Sequence, residues 1–248
     1  MKKLAGILIP LLFWGLVWQL AYMLVGRGIL LASPTQTARR LIELAQEPSF
    51  WKSARFSVCR VFLGCILGVA GGVLTAALTA AFAPARIILE PALTVIRATP
   101  VASFVLLALI FLSSGPVPVL LSFLMVLPIV WGNVDSGLRA ADRGLLEMAD
   151  VFKLSLRKKI SSIYIPAALP NFFSACATSI GLGWKAGIAA EVLGTPKFSI
   201  GTNIYNAKIY LETPDLFAWT AVVIILSLVF EKLLSGAVSG FAKRRDGV

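Results

Sequence analysis

An all-α membrane protein with six spanning helices is the fold class this sequence predicts, and three observations predict it. The chain is 58% hydrophobic and 14% charged, whereas soluble domains are about a quarter charged. Its mean hydropathy is +0.87. Uncharged runs of about the 20 residues needed to cross a bilayer recur along it, and the charges are confined to short segments between them.

The first run, Leu4 to Val25, carries no charge for 22 residues. It is longer than the apolar core of a signal peptide and has no small-x-small cleavage site after it, so it reads as an uncleaved first span. Ser33-Pro34 then opens an amphipathic helix to about Glu47, with Leu41, Ile42 and Ala45 on one face and Arg39, Arg40 and Glu43 elsewhere. It is too polar to span and is expected to lie on the outer interface. The second span is 61–85, bounded by Arg60 and Arg86. The uncharged stretch 98–134 is divided by Ser113-Ser-Gly-Pro-Val-Pro118 into two helices. The upstream one is too short unless it begins near Ile87 and carries Glu90 and Arg97 inside it, which gives 87–112. The fourth span is 117–134, the fifth is 166–190 with Lys185 late in it, and the sixth is 216–239. No soluble domain or clear internal repeat interrupts the pattern, so one membrane domain over 1–248 is expected.

The net charge of +11 would suit nucleic acid on a soluble body, but here the cations sit between apolar runs and report topology instead. Six spans place both termini on one side. With the termini cytoplasmic, the inner side holds thirteen Lys and Arg and the outer side eight, so the positive-inside rule puts the termini and the 139–165 segment in the cytoplasm. Cys59, Cys65 and Cys176 have no C-x-x-C spacing and are expected to be packing residues rather than a disulfide framework or a metal site. Histidine is absent, which removes the usual ligand and proton shuttle; an intramembrane Ser-His dyad or zinc site of the familiar kind is unavailable.

The segment between spans four and five is the most informative. Nine charged residues fall between Arg139 and Lys159, interleaved with Leu145, Leu146, Met148, Ala149, Val151, Phe152, Leu154 and Leu156. A disordered loop needs no such apolar pattern. Two short amphipathic helices with a turn near Lys153 fit it, seated on the bundle or on a partner, although a solvated basic loop that only sets topology also fits the spacing.

Glu147-Met-Ala149, followed by Ile163, one residue, and Ile165-Pro166, resembles the Glu-Ala-Ala loop of the permease subunits of binding-protein-dependent ABC importers. Three further motifs extend the resemblance. Ser57-x-x-Arg60-x-x-x-Gly64 is similar to the motif opening that family's second span, Arg97-Ala-Thr-Pro100 to the Arg-Thr-x-Pro of its third, and Trp184-Lys-Ala-Gly-Ile-Ala-Ala-Glu191 to the end of its fifth. Together they resemble the nitrate, taurine and sulfonate group of these permeases, with the type I importer fold.

What the resemblance implies is a non-enzymatic subunit whose coupling helix docks on a separate ATP-binding subunit through Glu147, Ala149, Lys153, Ile163 and Pro166. No Gly-x-x-x-x-Gly-Lys-Ser/Thr phosphate loop occurs here, so ATP and Mg would belong to that partner and no cofactor to this chain. It further implies a second permease copy, an extracytoplasmic solute-binding protein that selects the cargo, and residence in a prokaryotic cell membrane. The related permeases serve nitrate, sulfonates, taurine or vitamin precursors. Lys153 stands where the family has Gly, so a turn there with positive φ would strain the lysine.

Arg97, Lys185 and Glu191 are candidates to line the solute path, because ionisable groups in spans face cavities or partners. Lys185 could instead snorkel outward or pair with Glu191. Gly64, Gly68 and Gly72 form a small-xxx-small ridge for close helix approach, within the subunit or at a dimer seam. A secondary transporter would place coupling carboxylates deep in the membrane, whereas Glu90, Asp135, Glu191 and Glu231 sit near span ends. A purely structural membrane subunit leaves the 147–166 pattern without a reason.

Overall fold

A computed structural model describes residues 2–245, with side chains placed for 9, 10, 12–233 and 236. The described residues fold into helices joined by short connections: α1 (Lys2–Val25), α2 (Pro34–Ala45), α3 (Pro48–Ala81), α4 (Ala83–Ala98), α5 (Val101–Phe111), α6 (Val117–Arg139), α7 (Arg143–Val151), α8 (Leu156–Lys159), α9 (Ile165–Gly194), α10 (Ile200–Ile209) and α11 (Thr213–Arg245). A π-turn, Ile160–Tyr164, joins α8 to α9. Among the described residues, four helices are long and apolar enough to cross a membrane, and the bent pair α4 and α5 makes a fifth candidate. In α1 the apolar stretch with placed side chains is Leu12–Val25. Lys2, Lys3, Lys243, Arg244 and Arg245, used in the topology count, lie outside the residues whose side chains are described.

Helix α6 is the axis of the bundle, packed between α3 and α9. Small residues allow the approach. A Cβ added at Gly68 would stand 2.7 Å from the Val126 Cβ, and one at Gly72 would stand 2.7 Å from the Val130 Cβ; Gly64 meets the Val119 carbonyl in the same way. The glycine ridge of α3 therefore packs within the subunit, against α6. Helix α9 lies along the groove between α3 and α6: Gly183 of α9 faces Cys65 and Val126, Gly187 faces Ser122 and Val61, and Gly137 of α6 meets Ala168. The Ser122 hydroxyl donates to the Gly183 carbonyl at 3.0 Å, so even the polar atom at this seam is satisfied.

The residue pairs show that α3 and α6 run parallel and α9 antiparallel to them. The bundle thus has two ends: a clamp end, with the start of α3, the end of α9 and α10, and a loop end, with the close of α3 and α6 and the segment carrying α7 and α8.

Several expectations are corrected. The helix of the second span does not begin at 61 but at Pro48, because Pro at the first position and the apolar run after it propagate one helix through Lys52, Arg55 and Arg60. The third span, expected as one helix over 87–112, is two helices bent by 107° at Thr99-Pro100. Pro100 has no N–H and excludes Thr99 from helical backbone, and Thr99 sits at ψ 129°. The fourth runs on to Arg139, since Asp135 and Arg139 pair along the helix at 3.1 Å. The fifth does not start cleanly at Pro166. The proline cannot take an ordinary i−4 bond, and the backbone widens before it into the π-turn, with the Ile165 N–H on the Ile160 carbonyl. Cys59 is exposed rather than packed, while Cys65 and Cys176 are buried.

The amphipathic helix α2 is capped as its sequence asks. Ser33 accepts from the Gln36 N–H at 3.1 Å, and the Gln36 side chain accepts from the Ser33 N–H at 3.0 Å. Leu44 is buried, and Leu41 and Ala45 lean on the core. Ile42, expected on that face, points out of it. Helix α2 rests on α11, where the Arg40 guanidinium grips Asp215 with two bonds, at 2.5 and 3.0 Å. That hydrogen bond raises the pKa of Arg40. Arg39 and Arg40, bonded to Glu43, lower the pKa of its carboxyl.

Candidate functional site

Three constellations of polar residues stand out in a bundle otherwise closed by small and aliphatic side chains. The first is at the loop end. The Asp142 carboxylate accepts from the Gly144 N–H at 2.7 Å and caps α7. Ala149, only 1% exposed, seats α7 on the bundle with Leu146 half-buried beside it. The opposite face carries Leu145, Met148, Val151 and Phe152, the last two 78% and 72% exposed. Glu147 and Asp150 are exposed among them.

The helix then stops in a Schellman turn. The Leu154 N–H donates to the Ala149 carbonyl at 2.9 Å and the Lys153 N–H to the Asp150 carbonyl at 2.9 Å. This turn needs a left-handed residue, and Lys153 supplies it at φ +51°. Lysine therefore adopts the backbone that glycine would adopt freely, and the turn is retained at the cost of strain of about 1 kcal/mol. Lys159 bonds Asp150 across the turn and ties α8 back to α7. Ile163 and Pro166 are half-buried in the π-turn and the first turn of α9. The segment is thus an ordered, doubly helical handle. Ala149 belongs to its buried seat and not to its exposed face.

The second constellation is at the clamp end, where two sequence motifs meet. The Ser57 hydroxyl of α3 donates to the Glu191 carboxylate of α9 at 2.6 Å. The Gly201 N–H donates to the same oxygen at 3.2 Å, and Arg60 stands 3.5 Å from the other oxygen. Ser57 in turn accepts from the Ile200 N–H at 2.9 Å, and the Arg60 guanidinium holds the carbonyls of Lys197 and Phe198 at 2.9 and 3.2 Å. Glu191 is 0% exposed. Its expected place on a solute path is corrected: the carboxylate is consumed by a buried clamp that fixes the α9 to α10 connection. It pairs with Arg60, not with Lys185. Gly201 is required there, since any Cβ would collide with Glu191.

The third constellation is Arg97, at the bend between α4 and α5. Its guanidinium donates to the Pro128 carbonyl, midway along α6, and lies over the Trp131 ring at 5.8 Å. Gly132 is the position that admits it, since a Cβ there would strike the guanidinium. Arg97 is exposed in the single chain, as is Lys185, which shares one face of α9 with Ser174 and Thr178. Among the described residues no carboxylate pairs with either cation. Arg97 lies in the last turn of α4 and Lys185 late in α9, both within apolar helical stretches, where an unpaired cation is costly unless it faces a cavity or a partner.

Sequence reasoning missed one cluster entirely. Arg86 at the start of α4 grips Asp135 of α6, which also takes Arg139 at 3.1 Å, and Arg86 donates to the Thr79 carbonyl at 3.3 Å. Each had been read as a boundary charge. The available signal was that a carboxylate beside an apolar run must find a cation at the same depth.

With this geometry in view, the comparisons with known proteins decide the family. Residues 68–246 match the binding-protein-dependent transport system inner membrane component. The chain belongs to that family. Its similarity extends to an aliphatic sulfonates transport permease protein of Bacillus subtilis, SsuC, 27% identical over 218 residues that cover 86% of this chain and 77% of that one. The taurine transport system permease protein TauC of Escherichia coli is 22% identical over 86% of this chain and 80% of its own. The bicarbonate transport system permease protein CmpB of Synechococcus elongatus is 27% identical over 83% of this chain and 79% of its own. Among solved structures, a chain of an amino acid ABC transporter superposes with a TM-score of 0.62 at 21% identity, covering 79% of this chain and 94% of that one. The fold is therefore that of an ABC importer permease, and the protein is a transmembrane transport subunit.

Proposed function

We propose that α7 and α8 form the handle by which an ATP-binding subunit drives this permease, and that Arg97 and Lys185 line a path for a small anion. The observation that carries the first part is the ordered handle with an apolar face turned away from its own chain. Leu145, Met148, Val151 and Phe152 have nothing to bury against within the subunit, and exposed apolar patches rimmed by charge mark protein contacts. Glu147 would stand on the rim, with Lys153 and Pro166 setting the turn and the hinge into α9.

In this reading six spans, with α4 and α5 counted as one, place the handle and both termini in the cytoplasm of a prokaryotic cell and α2 on the outer interface. The partner supplies ATP and Mg. A second copy of this chain closes the path, and an extracytoplasmic binding protein delivers the solute. Closure of the ATP-binding subunits draws the two handles together, and the tightly packed α3, α6 and α9 carry that displacement as a rigid unit. Relatives named for sulfonates, taurine and bicarbonate share cargo with an anionic group, which suits two unpaired cations on exposed helix faces.

A negative charge introduced into the apolar face, Met148→Glu, is expected to abolish co-purification of the ATP-binding subunit from mild detergent while leaving the permease folded. Unchanged co-purification and uptake would remove the handle. Lys185→Met and Arg97→Met are each expected to reduce anion uptake at limiting solute; uptake unchanged in both would remove the path assignment.

A further inference from the structure

Behind the handle lies an open cleft of about 920 Å³ that no part of the transport reading uses. Its walls come from the ends of α3 and α6 and the start of α9, with α7 and α8 as its roof, and they are mostly apolar: Val73, Ala77, Leu138, Leu169 and Phe172. Its rim is cationic. Arg86, Arg139 and Arg143 face it, and the Asp135 carboxylate beside it is already shared by Arg86 and Arg139. Arg139 reaches Asp135 through Nε at 3.1 Å, with its side chain 59% exposed. Arg143, at the first position of α7, makes no ion pair among the described residues. The cleft therefore joins an apolar wall to two guanidinium groups with donors to spare, at the level where the spanning helices end.

We propose that this cleft binds an anionic phospholipid of the cytoplasmic leaflet, its phosphate held by Arg139 and Arg143 and one acyl chain lying along the wall. A soluble anion would satisfy the arginines but leave the wall wet, and a zwitterionic phospholipid would bring its phosphate together with an ammonium that the cationic rim repels; an anionic amphiphile answers both. Basic recesses between helices at the cytoplasmic surface are sites of this kind. The lipid would wedge between handle and bundle, so that handle motion and lipid occupancy are linked. The inference rests on the cytoplasmic placement of α7 proposed above, but its readout is separate.

The test uses the assembled transporter, this chain with its ATP-binding subunit, in nanodiscs of phosphatidylcholine with a minority of phosphatidylglycerol, followed by delipidation and native mass spectrometry. Phosphatidylglycerol is expected to be retained in preference to phosphatidylcholine. Arg143→Gln should lower that retention about five-fold, and Arg139→Gln with Arg143→Gln on the order of thirty-fold. Ala77→Trp, at an exposed position on the wall, should displace the lipid with both arginines in place, and it decides the matter if the double variant does not assemble. Equal retention of the two lipids, or retention unchanged by Arg143→Gln and Ala77→Trp, overturns the proposal. Displacement by inorganic phosphate alone would assign a soluble anion to the arginines and overturn it too. Loss of the ATP-binding subunit with lipid retained would count against the handle, not the cleft.

Discussion

The clamp at one end of the bundle and the α7–α8 segment at the other handle charge in opposite ways. At the clamp end a carboxylate is fully buried and answered by Ser57, Arg60 and Gly201, all from this chain. At the loop end the charged residues of α7 and α8 stay on the surface while aliphatic and aromatic side chains are exposed beside them. A buried charge satisfied within the chain reports internal architecture. An ordered helix whose apolar face meets nothing reports a missing partner. The same contrast explains why substitutions at the clamp end should be felt in stability and those on the face of α7 in assembly.

The largest effect is expected at the clamp. Glu191→Ala leaves Arg60 facing an empty buried site, and removing one member of such a pair costs about 3–5 kcal/mol. Thermal unfolding in detergent should show it, with Glu191→Gln milder because the amide can still accept from Ser57 and Gly201. If Glu191→Ala unfolds like the parent, the clamp is not structural.

Next is the α3 to α6 seam. Gly68→Val forces a β-branched side chain to within 2.7 Å of Val126, and overpacking of this kind costs about 1–3 kcal/mol. The same substitution at Gly15, which has nothing within 4 Å, serves as the control and should be nearly silent.

At the loop end the stability effects are smaller and can reverse sign. Lys153→Gly relieves the left-handed strain and should raise stability by up to about 1 kcal/mol, measured as a higher unfolding temperature; a drop would mean that the lysine side chain matters more than its backbone. Met148→Ser and Val151→Ser should change stability by less than about 0.5 kcal/mol while weakening assembly.

The smallest effect is pH-dependent and belongs to α2. Because Arg39 and Arg40 lower the pKa of the Glu43 carboxyl, its contribution is present above the unfolded value of about 4.3 and is lost as pH falls through the folded value. Hydrogen exchange in α2 should therefore quicken in acid, and Glu43→Gln should remove that dependence.

Much of this arrangement was legible in the sequence because it is local. The capped start of α2, the turn at Lys153, the short helices flanking it and the glycine ridge each depend on residues within a few positions of one another. The 107° bend was only half legible: Pro100 marks a break, but the direction after it is set by α5 packing onto α9 and α6. What could not be read was pairing at long range. Ser57 and Glu191 are 134 positions apart, and Arg86 and Asp135 are 49. Sequence alone shows each as an isolated polar residue near a span end, and on that ground Glu191 reads as a path residue. Arg97 and Lys185, which pair with no carboxylate among the described residues, remain the proposed path residues for the same reason that Glu191 does not.

The most direct test of the account is accessibility of the handle in the membrane. With Cys59→Ser to remove the exposed thiol, Val151→Cys is probed by a membrane-impermeant maleimide in intact cells and in inverted vesicles, with and without the ATP-binding subunit. Labelling only in inverted vesicles, and blocked when the ATP-binding subunit is assembled, is the predicted result. Labelling from outside the cell, or labelling indifferent to the ATP-binding subunit, would contradict it.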